Sequence, residues 1–92
     1  MPKLEAGTII AVPCEVRPGP FSDERLISFD TVTGSVSGFV SESELRQVGD
    51  RQWYVRAAVQ SATEEEVEVR IRGSFFTTNG LATISRQIAH AA

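Results

Sequence analysis

The run Val67-Glu68-Val69-Arg70-Ile71-Arg72 alternates apolar and charged residues without a break. Successive side chains of an extended backbone point to opposite faces, so a β-strand collects Val67, Val69 and Ile71 on one face and Glu68, Arg70 and Arg72 on the other. The stretch from Gln52 to Ala62 has the same period, with Trp53, Val55, Ala57 and Val59 directed inward. Polar residues from Ser61 to Glu66 connect the two, which predicts a hairpin. A lone hairpin with one apolar face is unstable in water, so further strands must cover it.

Three earlier segments supply them. Between Gly7 and Val16, residues Ile10, Val12, Cys14 and Val16 share one face, and Ile9, Ala11 and Glu15 share the other. Pro13 has no N–H for a ladder, which predicts an edge position or a bulge there. Arg17-Pro18-Gly19-Pro20 stops the strand and opens a loop. From Arg25 to Thr33 the pattern returns, with Ile27 and Phe29 facing one way, joined by Thr31, and Ser28 and Asp30 the other. Thr33-Gly34-Ser35 reads as a turn into a third strand, Val36 to Val40, in which Phe39 points away from Val36 and Val40. Ser41 to Val48 has the serine start and early acidic residues of a helix N-terminus, and Gly49 ends it after one or two turns. Past Gly73 the spacing changes: Leu81, Ile84 and Ile88 recur at a helical interval, with Thr78 or Asn79 as the cap. Ser85, Arg86, Gln87 and His90 form the outer face of that helix, which is expected to lie over one open end of a barrel.

Three strands, a short helix and two more strands, in that order, describe a small, mainly β, five-stranded OB-like partly open barrel. The expected organisation is one domain over residues 1–92, with the barrel in 7–72 and a C-terminal helical segment in 78–90. Composition agrees: 92 residues with 41% hydrophobic and 23% charged residues suit a single globular core. Cys14 is the only cysteine, so no internal disulfide forms, and its place on an apolar face reads as packing rather than reactivity. No basic start with an apolar run marks a secretory signal and no apolar stretch is long enough to span a membrane, which reads as cytoplasmic. A net charge of −3 argues against non-specific attraction to polyanions but allows a local basic patch.

Gly7, Gly38-Phe39-Val40, Ser43-Glu44-Leu45 and Gly49-Asp50 together resemble the RNA-binding OB-fold repeat named after a ribosomal small-subunit protein, over residues 7–72. In that family a Gly-Phe-Val strand runs into a histidine-containing Ser-Glu-Leu turn; here Ser41 stands where the histidine usually falls. The resemblance implies single-stranded RNA across the second and third strands, with a base stacked on Phe39 and with Phe29 or Phe21 as the neighbouring ring. Strand parity assigns Phe29 to the core and leaves Phe39 open to either role.

A second cluster rests on the residues alone. The outward faces of the fourth and fifth strands present Tyr54, Arg56, Arg70 and Arg72. One register sets Arg56 opposite Arg70 and Tyr54 opposite Arg72, leaving adjacent like charges that ask for an anion. A register shifted by two pairs Arg56 with Glu68, worth a few tenths of a kcal/mol at a surface, and is the favoured one.

Catalytic chemistry finds no footing. His90 is the only histidine, so no histidine triad or multi-histidine metal site assembles. Gly34-Ser35-Val36-Ser37-Gly38 centres on Val36 where a nucleophile elbow needs serine. Glu64-Glu65-Glu66 reads as a solvated loop, and no phosphate-binding glycine loop occurs. The expectation is a non-enzymatic binding module with no metal and no cofactor, contacting single-stranded RNA or DNA through Phe39, Tyr54, Arg56, Arg70 and Arg72. The alternative is a protein-interaction or self-association domain that uses the interrupted first strand or the C-terminal helix. A small-ligand pocket between barrel and helix is the third reading.

Overall fold

Val67, Val69 and Ile71 all face inward and are buried in the computed structural model, which describes residues 4–76 and 79–92. Around them runs one curled sheet of nine strands among the described residues: β1 (Ile9–Pro18), β2 (Glu24–Thr31), β3 (Gly34–Ser41), β4 (Leu45–Val48), β5 (Gln52–Ala62), β6 (Glu66–Arg70), β7 (Ser74–Phe75), β8 (Leu81–Ser85) and β9 (His90–Ala91). Their order is β7-β3-β2-β1-β5-β6-β8, with β4 added to β5 and β9 to β1. Curling brings the far edge back: the Val32 N–H, at the tip of the β2–β3 hairpin, donates to the Thr83 carbonyl of β8 at 2.9 Å.

The five strands read from the sequence are β1, β2, β3, β5 and β6, and their inward residues form the core. Ile10, Val12, Ile27, Val40, Val55, Val59 and Val69 are buried there, with Phe29 beside them. Phe75 of β7 joins from the rim, its ring edge-on to Phe29 at 6.2 Å. β7 can lie that close because it pairs with β3 at Gly38, where any side chain would fall inside the Phe75 ring.

Four further strands replace what the periodicity assigned to helix or loop. The expected helix after the third strand is a single 3-10 turn, Glu42–Glu44, in which the Ser41 hydroxyl accepts from the Ser43 N–H, and the chain then extends as β4. Extension sets Leu45 opposite Val55 on the inner face and lets β4 hydrogen-bond β5. So short a helix would close few hydrogen bonds for the entropy of nucleating it.

The C-terminal helix over 78–90 is likewise corrected. Position 78 lies outside the described residues, and the rest is β8, a 3-10 turn at Arg86–Ile88 and β9. The deciding factor is non-local: β6 would otherwise leave a row of N–H and C=O groups unpaired, and β8 satisfies it over five residue pairs. In that register Ile84 still reaches the core, opposite Val67.

The first strand meets the expectation for Pro13 from a central place in the sheet. β1 is central: residues 9–14 pair with β5, while its other side pairs with β9 at Ile10 and Ala11 and with β2 from Glu15 onward. Pro13 occupies a stretch paired on one side only, which is where a missing N–H is tolerated.

Candidate nucleic-acid interface

Because Val55 and Ala57 turn inward, Tyr54 and Arg56 stand on the outer face of β5. Tyr54 lies opposite Pro13 of β1 on one side and Arg46 of β4 on the other; Arg56 lies opposite Ala11. Across the hairpin, Arg70 is opposite Ala58, and Glu68 is opposite Ser61. Neither expected register is therefore formed. The ladder is interrupted between Val59 and Ser61, and this bulge sets Arg70 diagonal to Arg56 and carries Glu68 away from it. The favoured Arg56–Glu68 ion pair is accordingly not made.

Two concavities open on this face. A trough of about 440 Å³ has an apolar floor that includes Ile9, Ala11 and Tyr54, with Arg46 and Arg56 along it and Leu45 reaching its lining from the inner side. A smaller recess of about 160 Å³ is lined by Arg56, Arg70, Arg72 and Glu44, with Ile9 and Ala58 beneath. Ile9 and Arg56 belong to both, so the two adjoin. Four of the chain's eight arginines thus gather on one face of a protein whose net charge is −3. Among the described residues, none of these four guanidinium groups has an ion-pair or hydrogen-bond partner; Arg25 and Glu42, which pair at 3.1 Å, lie elsewhere.

Tyr54 is held in place by an unexpected neighbour. The His90 ring of β9 meets it edge to face, 5.1 Å between centroids at 70°. Ala11, which lies on β1 between the strands that carry them, is buried although it faces outward.

Phe39 is not brought to this cluster. It sits half-buried on the outer side of β3, separated from β5 by β2 and β1, with its ring edge-on to Phe76 at 5.5 Å. Phe29 is in the core, and Phe21 is exposed in the β1–β2 loop. Arg46, Ile9 and Leu45 were not singled out from the sequence. Period two would have found Arg46 had 45–48 been read as extended, since Leu45-Arg46 is an inward–outward pair.

A third concavity, about 720 Å³, opens over Trp53, Phe29, Cys14 and Ile88. It takes the place of the pocket expected between barrel and helix. Its rim mixes Arg17 and Arg51 with Glu15 and Asp30, so it favours neither sign of charge. Burial pushes the Cys14 thiol up to about 12, which keeps it protonated and unsuited to nucleophilic attack. Among the described residues no three His, Cys, Asp or Glu side chains gather as a metal site, and no helix is long and apolar enough to cross a membrane. Comparison of the chain with protein-family models, with curated proteins and with solved structures gives no significant match.

Proposed function

We propose that this chain is a non-enzymatic binding module that holds single-stranded nucleic acid on the outer face of β4, β5 and β6. The observation that carries the reading is the apolar trough at Tyr54 flanked by Arg46, Arg56, Arg70 and Arg72, all without protein partners among the described residues. Unpaired arginines around an aromatic are what a polyanion with stackable bases needs: guanidinium groups neutralise phosphates, and an aromatic surface takes a base at about 1–3 kcal/mol each. A single strand fits better than a duplex, because only unstacked bases reach a shallow trough.

The resemblance to the ribosomal-type OB-fold repeat points instead to the second and third strands and Phe39. That outer face carries Phe39 and Phe76 together with Ser28, Ser37 and Asp30, and a single arginine, Arg17, lies in register with Phe39, across Leu26. Charge therefore favours the β5 face, with Phe39 as a secondary contact for a longer strand.

Fluorescence anisotropy with a labelled twelve-nucleotide strand tests the reading. Affinity should fall with a log–log salt slope of about −2 to −3, as expected when three or four phosphates are neutralised on a single strand. Arg56→Gln should flatten that slope by about 0.7, one phosphate's share. Amide spectra that stay unmoved at millimolar oligonucleotide would end the proposal.

A protein-interaction role draws on a different observation, the exposed Phe76 beside Phe39. It predicts concentration-dependent light scattering that Phe76→Ser abolishes. The surfaces first expected for it do not serve, since β1 is central and Ile84 is in the core.

A further inference from the structure

The small recess beside the trough has a charge balance of its own. Arg56, Arg70 and Arg72 line a space of about 160 Å³ together with one carboxylate, Glu44. Three positive side chains and one negative leave a local charge of +2. With the ladder interrupted between Val59 and Ser61, Arg70 lies opposite Ala58 and diagonal to Arg56, while Glu68 faces Ser61 and stays out of the recess.

An internal phosphodiester carries one negative charge and would leave half of that excess uncompensated. A terminal phosphate monoester carries close to two at neutral pH, with its second ionisation near pH 6, and offers three acceptor oxygens to guanidinium donors. The recess is of a size to hold one such group and too small for a base with its sugar, whereas the adjoining 440 Å³ trough has the apolar floor a base requires. Arg56 lines both, at the junction where a terminal phosphate joins its nucleoside.

We infer that this face recognises the phosphorylated end of a single strand: the terminal phosphomonoester in the Arg56–Arg70–Arg72 recess and the terminal base against Tyr54. The inference rests on the nucleic-acid reading above and adds which part of the strand is bound. Glu44 has a part in it. By lowering the recess charge from +3 to +2 it disfavours more highly charged anions such as a triphosphate end, and Glu44→Gln should improve triphosphate binding relative to monophosphate.

The experiment compares twelve-nucleotide strands of one sequence bearing a 5′-phosphate, a 3′-phosphate or hydroxyl groups at both ends, with the fluorophore on an internal base. A phosphoserine peptide serves as a non-nucleotide monoester. One phosphorylated strand should bind at least about tenfold tighter than the hydroxyl strand at pH 7.5, the gain from one charge-assisted contact made at the end only. Which of the two does so identifies the end. The preference should shrink at pH 5.5, where the monoester is mostly singly charged. Arg70→Gln and Arg72→Gln lie at exposed positions and should fold normally; each should bring the phosphorylated and hydroxyl strands within about twofold.

If all strands bind alike, end recognition is wrong and the nucleic-acid reading survives. If no strand binds, both fall. If the phosphopeptide competes as well as the phosphorylated strand, the recess reads a phosphate and not a nucleic-acid end, which also overturns the inference.

Discussion

His90 stands edge-on to Tyr54 from a strand that pairs with the opposite side of β1, so the two rings, thirty-six residues apart in sequence, meet across the strand between them. The contact orients the one tyrosine of the chain at the floor of the trough. Edge-to-face pairs contribute about 0.5–1.5 kcal/mol beyond their buried area. His90→Ala should therefore lower stability by about 1 kcal/mol in urea denaturation and move the Tyr54 ring resonances. Tyr54→Ala should cost more in oligonucleotide binding, about 1–3 kcal/mol, because it removes the stacking surface itself. Should His90→Ala leave the Tyr54 resonances in place, the rings do not touch in solution.

The two readings of the C-terminal region differ over Ile84 and Ile88. On a surface helix the two would share one apolar face and be of similar weight. In the structure Ile84 is fully buried opposite Val67, while Ile88 is half-buried after β8 has ended. Ile84→Ala should cost about 2–5 kcal/mol, the range for a buried aliphatic truncated to a methyl. Ile88→Ala should cost clearly less. Equal losses in the two variants would speak for the helix.

What was legible in the sequence is what the backbone dictates locally. The inward set of β5 and β6 follows from side-chain alternation, and it places Tyr54, Arg56, Arg70 and Arg72 outward by the same parity. β8 was not legible, because Leu81, Ile84 and Ile88 fit a 3.6-residue period and Thr83 and Ile84 fit a strand equally well. The choice between them is made by the unpaired edge of β6, a partner eleven to nineteen residues away. The site was half legible for a similar reason. Parity gave the direction of each arginine, but which residues neighbour them depends on the register past the bulge after Val59 and on Arg46 arriving with β4. Phe39 was legible as an outward residue and not as a neighbour of Phe76, which follows from β7 docking on β3.

That docking makes a prediction of its own. Gly38 is buried beneath Phe75, and a methyl group at its Cα would occupy the space of the ring. Gly38→Ala should destabilise by about 1–3 kcal/mol through overpacking. Phe75→Ala, which empties that space, should relieve the strain, so the double variant should lose less than the sum of the two single losses. Additive losses in the cycle would mean that β7 does not pack on β3 at this position.

Cys14 lies on the inner side of β1, and burial raises its thiol from 9.0 to about 12. Iodoacetamide at pH 8 should therefore label native protein far more slowly than protein in urea, because the thiolate is the reactive form and the fold suppresses it. The same shift couples stability to pH. Below about pH 9 the thiol is protonated in both folded and unfolded chains and contributes no pH dependence. Between 9.0 and about 12 the unfolded chain releases this proton while the folded chain keeps it. The unfolded state then binds fewer protons, and stability falls as pH rises through that window. Other groups titrate there too, so the measurement is a difference: denaturation midpoints of wild type and Cys14→Ala followed from pH 7.5 to 10.5. Cys14→Ala should begin less stable, having lost a buried sulfur, and the gap should narrow above pH 9 as the wild type alone gives up the thiol's contribution. A gap that stays constant with pH would show that Cys14 ionises as freely in the folded protein as in the unfolded chain.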